Sequence, residues 1–245
     1  DFTLSDGEWK RALFSRRLAY NGLQPYDLNR LKESARDVGS IPSLARNLET
    51  SVAGFRGLGY ESGPVAVFAL APQSLLIKLG CLLGDETDLI VFQRSRDERN
   101  WSGNEGIPVT SFELKTPPRF ENASEAGLIL SISGIVNPKT IPNKVSESMI
   151  PIYEITVPSP GICAADHPKA AEKFRIFATN SLYRIHEDNP EVRRLHIFPA
   201  APVSLNITFG AALNTNVISE YVVYEKRDGI FAKSLTIGGK DESGQ

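Results

Sequence analysis

The strongest constraint on this chain is a stretch that it contains twice. Val67-Phe68-Ala69-Leu70-Ala71-Pro72-Gln73-Ser74-Leu75-Leu76-Ile77-Lys78-Leu79-Gly80 recurs without a gap as Ile197-Phe198-Pro199-Ala200-Ala201-Pro202-Val203-Ser204-Leu205-Asn206-Ile207-Thr208-Phe209-Gly210, at an offset of 130 residues. Phe68/Phe198, Ala71/Ala201, Pro72/Pro202, Ser74/Ser204, Leu75/Leu205, Ile77/Ile207, Gly80/Gly210 and Leu83/Leu213 are identical pairs. Chance supplies roughly one identity over so short a window, so the chain carries an internal duplication. Each copy reads as an apolar strand, a turn with proline in the first helical turn, a helix with one apolar face, and a second strand. The strands are Val65 to Leu70 and Asp88 to Gln93 in one copy, Leu195 to Phe198 and Ile218 to Val223 in the other. Such a unit predicts a parallel, buried sheet.

The turn fixes where chemistry can sit. A helix start offers unpaired N–H groups and a partial positive charge, and placed after a strand it suits a phosphate. In open α/β sheets, ligands lie beyond the carboxyl ends of the strands. Gln73, Ser74 and Ser204 therefore become candidate ligand contacts; the alternative is that each serine serves only its own helix start. The run Arg94 to Trp101 leaves the second strand on the same rim. Arg94, Arg96 and Arg99 can fork onto phosphate oxygens, and Trp101 can stack on a base. The alternative is a solvated loop in which Asp97 and Glu98 pair the arginines. Two further rim loops are expected at Ser133-Gly134 and at Ser159.

Residues 1–59 read as helical, with Ser5 and Glu8 bracketing a helix start, a second helix from Pro25 to Arg36 and a third from Ser40. The glycines of Gly57-Leu58-Gly59 and Gly63 precede a strand, so they lack the strand-turn-helix setting of a dinucleotide fingerprint. Lys115 to Ser124, with Pro117-Pro118, is the expected hinge between halves 1–125 and 126–245. Beyond it come a strand at Gly127 to Ser133, a short helix at Pro142 to Ser148 and a strand at Pro151 to Val157. A long helix follows with Phe174, Phe177, Ala178, Ser181, Leu182 and Ile185 on its core face, then an edge strand at Phe231 to Ile237 and a disordered tail from Gly238.

Several function classes are disfavoured. No apolar run reaches membrane-spanning length and no signal peptide is visible. A net charge of −2 argues against non-specific binding to duplex DNA. Cys81 and Cys163 make neither a disulfide scaffold nor a zinc site, and His167, His186 and His196 lack metal-ligand spacing. No residue set fills nucleophile, base and oxyanion roles together, so the chain is expected to be no enzyme, with no metal and no cofactor.

Arg194-Leu195-His196-Ile197-Phe198-Pro199-Ala200-Ala201-Pro202-Val203-Ser204-Leu205 resembles the signature segment of SAVED domains, and Leu128-Ile129-Leu130-Ser131-Ile132-Ser133-Gly134 resembles their other strand-loop. The resemblance runs from about residue 26 to 237. It implies an α/β fold of two fused Rossmann-like (CARF-like) halves in a pseudo-two-fold repeat, with largely parallel sheets flanked by helices and a helical N-terminal segment. It also implies a sensor of the bacterial cytoplasm, from a CBASS antiphage effector with a fused HNH nuclease. The start at Asp1 fits a portion of such a longer chain. The implied ligand is a cyclic oligonucleotide made by a partner CD-NTase, a cyclic di- or trinucleotide with the dinucleotide favoured. It would lie across the cleft between halves, touching Gln73, Ser74, Arg94, Arg96, Arg99, Trp101, Ser133, Gly134, Ser159 and Ser204, and would promote SAVED–SAVED contacts. The competing expectations are a CARF-like ring nuclease or other phosphoesterase, and a scaffold that binds no ligand.

Overall fold

The computed structural model describes residues 5–20, 40–57, 63–84, 86–95, 100–101, 108–118, 120, 122–146 and 150–239. The helix expected at Pro25 to Arg36, together with Arg96 and Arg99, lies outside them.

The first described helix, α1 (Asp6–Ser15), begins as the sequence dictates. Ser5 and Glu8 form a capping box, with the Ser5 N–H donating to Glu8 Oε2 at 3.1 Å. Next come α2 (Ile41–Gly57), β1 (Val65–Phe68), α3 (Gln73–Leu83), β2 (Leu89–Phe92) and β3 (Glu113–Lys115). After them follow β4 (Glu125–Ser131), a 3-10 turn (Pro138–Thr140), α4 (Asn143–Ser146), β5 (Ile152–Thr156) and α5 (Ala170–Asp188). The chain continues through β6 (Arg194–Ala200), α6 (Val203–Ala211), β7 (Glu220–Arg227) and β8 (Ile230–Gly238). Pro72 and Pro202 stand at the cap positions of α3 and α6 in extended conformation, one place earlier than the sequence suggests. Gly238 closes β8 rather than opening a tail.

Both copies of the repeat form the expected parallel units: β1 pairs β2, and β6 pairs β7. They belong to different sheets. β1 and β2 make a two-stranded sheet, and a six-stranded sheet runs in the order β3-β5-β4-β6-β7-β8. Its four central strands are parallel, while β3 and β8 pair antiparallel at the edges. β3 ends on the first residue of the expected hinge, within the earlier half, yet is hydrogen-bonded into the later half's sheet.

Between the two sheets lie α3 and α6. Leu75 and Ile77 of α3 join Leu205 and Phe209 of α6 in the core against the large sheet, with Phe174, Ala178 and Ile185 of α5. Leu76 and Leu83 face the other way, toward Val67, Val91 and the α2 side chains Leu48 and Val52, and Ile207 joins them there. The sequence suggests one apolar face for α6, but every residue from Ser204 to Ala211 is buried, as befits a central helix.

The repeated glycines explain how the two helices come so close. A Cβ on Gly80 would stand 1.9 Å from the Ile207 carbonyl oxygen, and one on Gly210 would stand 2.0 Å from that of Ile77. The contacts are reciprocal: each glycine meets the other copy's repeated isoleucine, backbone to backbone. Only a residue without a side chain permits this crossing. A third cluster, Trp9, Ala12 and Leu13 with Phe92 and Trp101, seals the outer face of the small sheet. A fourth, including Ile129, Val136, Val145, Phe198 and Phe231, covers the far face of the large one.

Candidate functional site

The strand order sets the site. β4 is flanked by β5 and β6, so the chain leaving β4 turns to one side of the sheet and the chain leaving β6 turns to the other. Their carboxyl ends therefore border a switch point, where open α/β sheets hold ligands. The loops there are tied together. The Ile132 and Ser133 N–H groups donate to the Ala200 carbonyl oxygen at 3.0 and 2.8 Å, and the Gly161 N–H donates to the Ile132 carbonyl oxygen at 2.9 Å. This places Ser133, Gly134 and the Ser159 loop on one rim beside the turn that starts α6.

The first copy's turn reaches the same place. Gln73 Oε1 accepts from the Ala201 N–H at 3.1 Å and from Asn206 Nδ2 at 3.2 Å. Gln93, just past β2, accepts from both the N–H and the hydroxyl of Ser204, each at 3.1 Å. The two helix starts thus sit side by side, as the repeat suggests, but each already has a protein partner. The Ser74 N–H donates to Glu225 Oε1 at 2.6 Å, and Ser74 Oγ lies 2.9 Å from Ser234 Oγ. Ser74 is wholly buried and Ser204 nearly so. Ser234 arrives there through a β-bulge: Val223 pairs Leu235 and Tyr224 pairs Lys233, leaving Ser234 as the extra residue. Burial pushes the Glu225 carboxyl above its usual range, against the pull of the Ser74 hydrogen bonds and of nearby Arg227.

Trp101 is placed in the core rather than on the open rim. It is 1% exposed and packs edge-on against Phe68 with ring centroids 5.4 Å apart. Arg94 is half-buried and follows Gln93, with Nη2 3.9 Å from Glu8 Oε1. Bonds from the Ser5 backbone and hydroxyl hold that Glu8 carboxyl below its usual range. Among the described residues no group of three or more His, Cys, Asp or Glu is placed to hold a metal. No described helix is long and apolar enough to cross a membrane. The structure thus brings together Gln73, Ser74, Ser204, Ser133, Gly134 and the Ser159 loop. The partners that sequence reasoning missed are Gln93, Asn206, Glu225 and Ser234. Nothing in local spacing announces a hydrogen bond across more than a hundred residues.

Comparison with known proteins adds the family. The sequence model of SAVED, the SMODS-associated and fused to various effectors sensor domain, matches residues 48–237. The chain belongs to the SAVED family. No curated protein matches it. Among solved structures, this SAVED chain resembles the Acinetobacter baumannii Cap4 SAVED/CARF-domain containing receptor with the cyclic trinucleotide 2'3'3'-cAAA. That match has a TM-score of 0.61 and 16% identity, over 82% of this chain and 44% of that one. The same receptor without a named ligand matches at a TM-score of 0.59 and 13% identity, over 86% and 45%. The Moraxella osloensis Cap4 receptor matches at 0.54 and 14%, over 82% and 42%. At these identities the likeness is one of fold: mixed α/β, with largely parallel sheets flanked by helices. The SAVED chain spans less than half the length of these receptors.

Proposed function

We propose that this SAVED chain is a sensor that binds a cyclic oligonucleotide at the rim above β4 and β6. The observation that carries the reading is the switch point itself, with the Ser133–Gly134 and Ser159–Gly161 loops tied to the Ala200–Ala201 turn, onto which Gln73 folds from the other sheet. The cyclic trinucleotides named with the Cap4 receptors support the ligand class. The dinucleotide preference, which comes only from the resemblance to HNH-fused SAVED modules, is tested by including both ring sizes. In this reading the repeat is a pseudo-two-fold whose two helix starts frame the ligand. Ser133, Gly134 and Ser159 face its bases, while Arg94, with Arg96 and Arg99, meets its phosphates. Ser74 and Ser204 act by fixing the helix starts, and Trp101 supports the rim from beneath. Binding promotes contacts between SAVED domains in the bacterial cytoplasm and so activates a fused nuclease effector. This portion itself cuts nothing.

The experiment is calorimetric titration with a panel of cyclic di- and trinucleotides. One or more members should bind, and Arg94→Ala should weaken that binding by about 1.5–3 kcal/mol, roughly 10- to 150-fold. A panel that produces neither heat nor thermal shift refutes the sensor reading and favours a scaffold. Linear product found by chromatography after incubation favours a ring nuclease.

A further inference from the structure

Two glycines on this rim have no internal reason to be glycine. A Cβ on Gly134 would meet nothing within 4 Å, and one on Gly161 would meet only the Ser159 carbonyl oxygen, at 3.9 Å. Neither has a left-handed backbone; among the described residues the glycines that do are Gly84, Gly229, Gly238 and Gly239. Gly80 and Gly210 are explained by the helix crossing, and Gly229 by its φ of 86° in the β7–β8 turn. At Gly134 and Gly161 the extra chain entropy of glycine is offset by neither packing nor conformation. Open glycines without a left-handed backbone also occur on exposed positions elsewhere, at Gly7, Gly54, Gly57 and Gly63, so one alone says little. Here two lie on adjoining loops, joined by the Gly161–Ile132 hydrogen bond, at the switch point.

Each is followed directly by an exposed isoleucine. Ile135 is 76% exposed and Ile162 is 44% exposed, although the next residue after Ile135, Val136, is buried. Large aliphatic side chains left in water beside bare backbone suit a flat, apolar-faced partner. A planar ring gains contact from the aliphatic groups, and the missing Cβ atoms let it approach the main chain closely. We propose that Gly134-Ile135 and Gly161-Ile162 form the platform on which a planar nucleobase of the ligand rests, and that they set how closely that base can approach. This inference rests on the sensor reading above.

The test uses substitutions that the fold should not feel. Gly134→Ala and Gly161→Ala each place a methyl group in open space at an ordinary φ, so the melting temperature should hold or rise slightly. Binding of 2'3'3'-cAAA, 3'3'3'-cAAA or whichever cyclic dinucleotide the intact chain binds best should weaken at least about tenfold in each. Ile135→Ser and Ile162→Ser should weaken it as well. Unchanged Kd in both alanine variants, measured against a wild-type chain that does bind, overturns the platform and leaves the sensor reading standing. The platform is equally overturned if the variants keep their Kd but lose ligand-dependent assembly in sedimentation, because the loops then meet another copy. A wild-type chain that binds no probe overturns the sensor reading, and the platform with it.

Discussion

The helix crossing makes the sharpest prediction about stability. In Gly80→Ala the new Cβ would stand 1.9 Å from the Ile207 oxygen and 2.8 Å from the Ala211 nitrogen; in Gly210→Ala it would stand 2.0 Å from the Ile77 oxygen. A carbon and a carbonyl oxygen settle at about 3.3–3.6 Å, so the helices must part by roughly 1.4 Å. Both neighbours are backbone, so no side chain can swing aside. Overpacking a core costs about 1–3 kcal/mol, and a clash of main chain on main chain belongs at the upper end. Alanine's better helix propensity returns about 1 kcal/mol. A net loss of about 2 kcal/mol or more follows, which for a domain of this size lowers the melting temperature by at least about 4–8 °C. Scanning calorimetry reads it directly. Gly54→Ala on α2, where a Cβ meets nothing within 4 Å, is the control and should be neutral or mildly stabilising. The double variant should lose less than the sum of the singles, because the helices need to separate only once. Melting of both single variants within a degree of wild type would refute this account of the crossing.

The buried carboxylate and the buried indole give two more tests. Glu225→Gln keeps an acceptor for the Ser74 N–H and cannot ionise, so it should match or exceed wild-type stability above the ordinary carboxylate range; Glu225→Ala strands that N–H and should cost about 1–3 kcal/mol. The folded Glu225 carboxyl is raised, so its contribution is fullest in acid and is lost as pH rises from the ordinary carboxylate range through the raised value. Denaturant titrations across that range should find a shallower pH dependence in the glutamine variant, and an unchanged one would contradict the assignment. Trp101→Ala should destabilise by about 3–5 kcal/mol, seen as a collapse of the melting transition. A variant that melts normally yet fails to bind ligand would instead put the ring at the ligand.

Periodicity carried much of this architecture. The matched Ile77/Ile207 and Gly80/Gly210 pairs mark the two helices that meet, and the apolar runs mark strands β4 through β8 to within a few residues. Pattern failed wherever a residue's fate depends on a distant partner. Trp101 stands in a charged run, which suggests a rim, but Phe68 and Phe92 draw it inward. Gln93 and Glu225 look like ordinary residues near strand ends, and only the fold gives them helix starts to cap. β3 is three residues long, too short for its alternation to reveal which sheet will take it. The rim loops at Ser133 and Ser159 were readable because a loop leaving a parallel strand has a fixed end to go to. Their bond to each other was not readable.

Ser74 donates to an oxygen 151 positions further along the chain, and Ser204 and Ala201 donate to oxygens 111 and 128 positions back. A break between the copies would part donors in both fragments from their acceptors at once. The duplicated unit has therefore become indivisible. A graft of this domain into another protein must carry both copies, and a fragment holding only one should be insoluble rather than a working half.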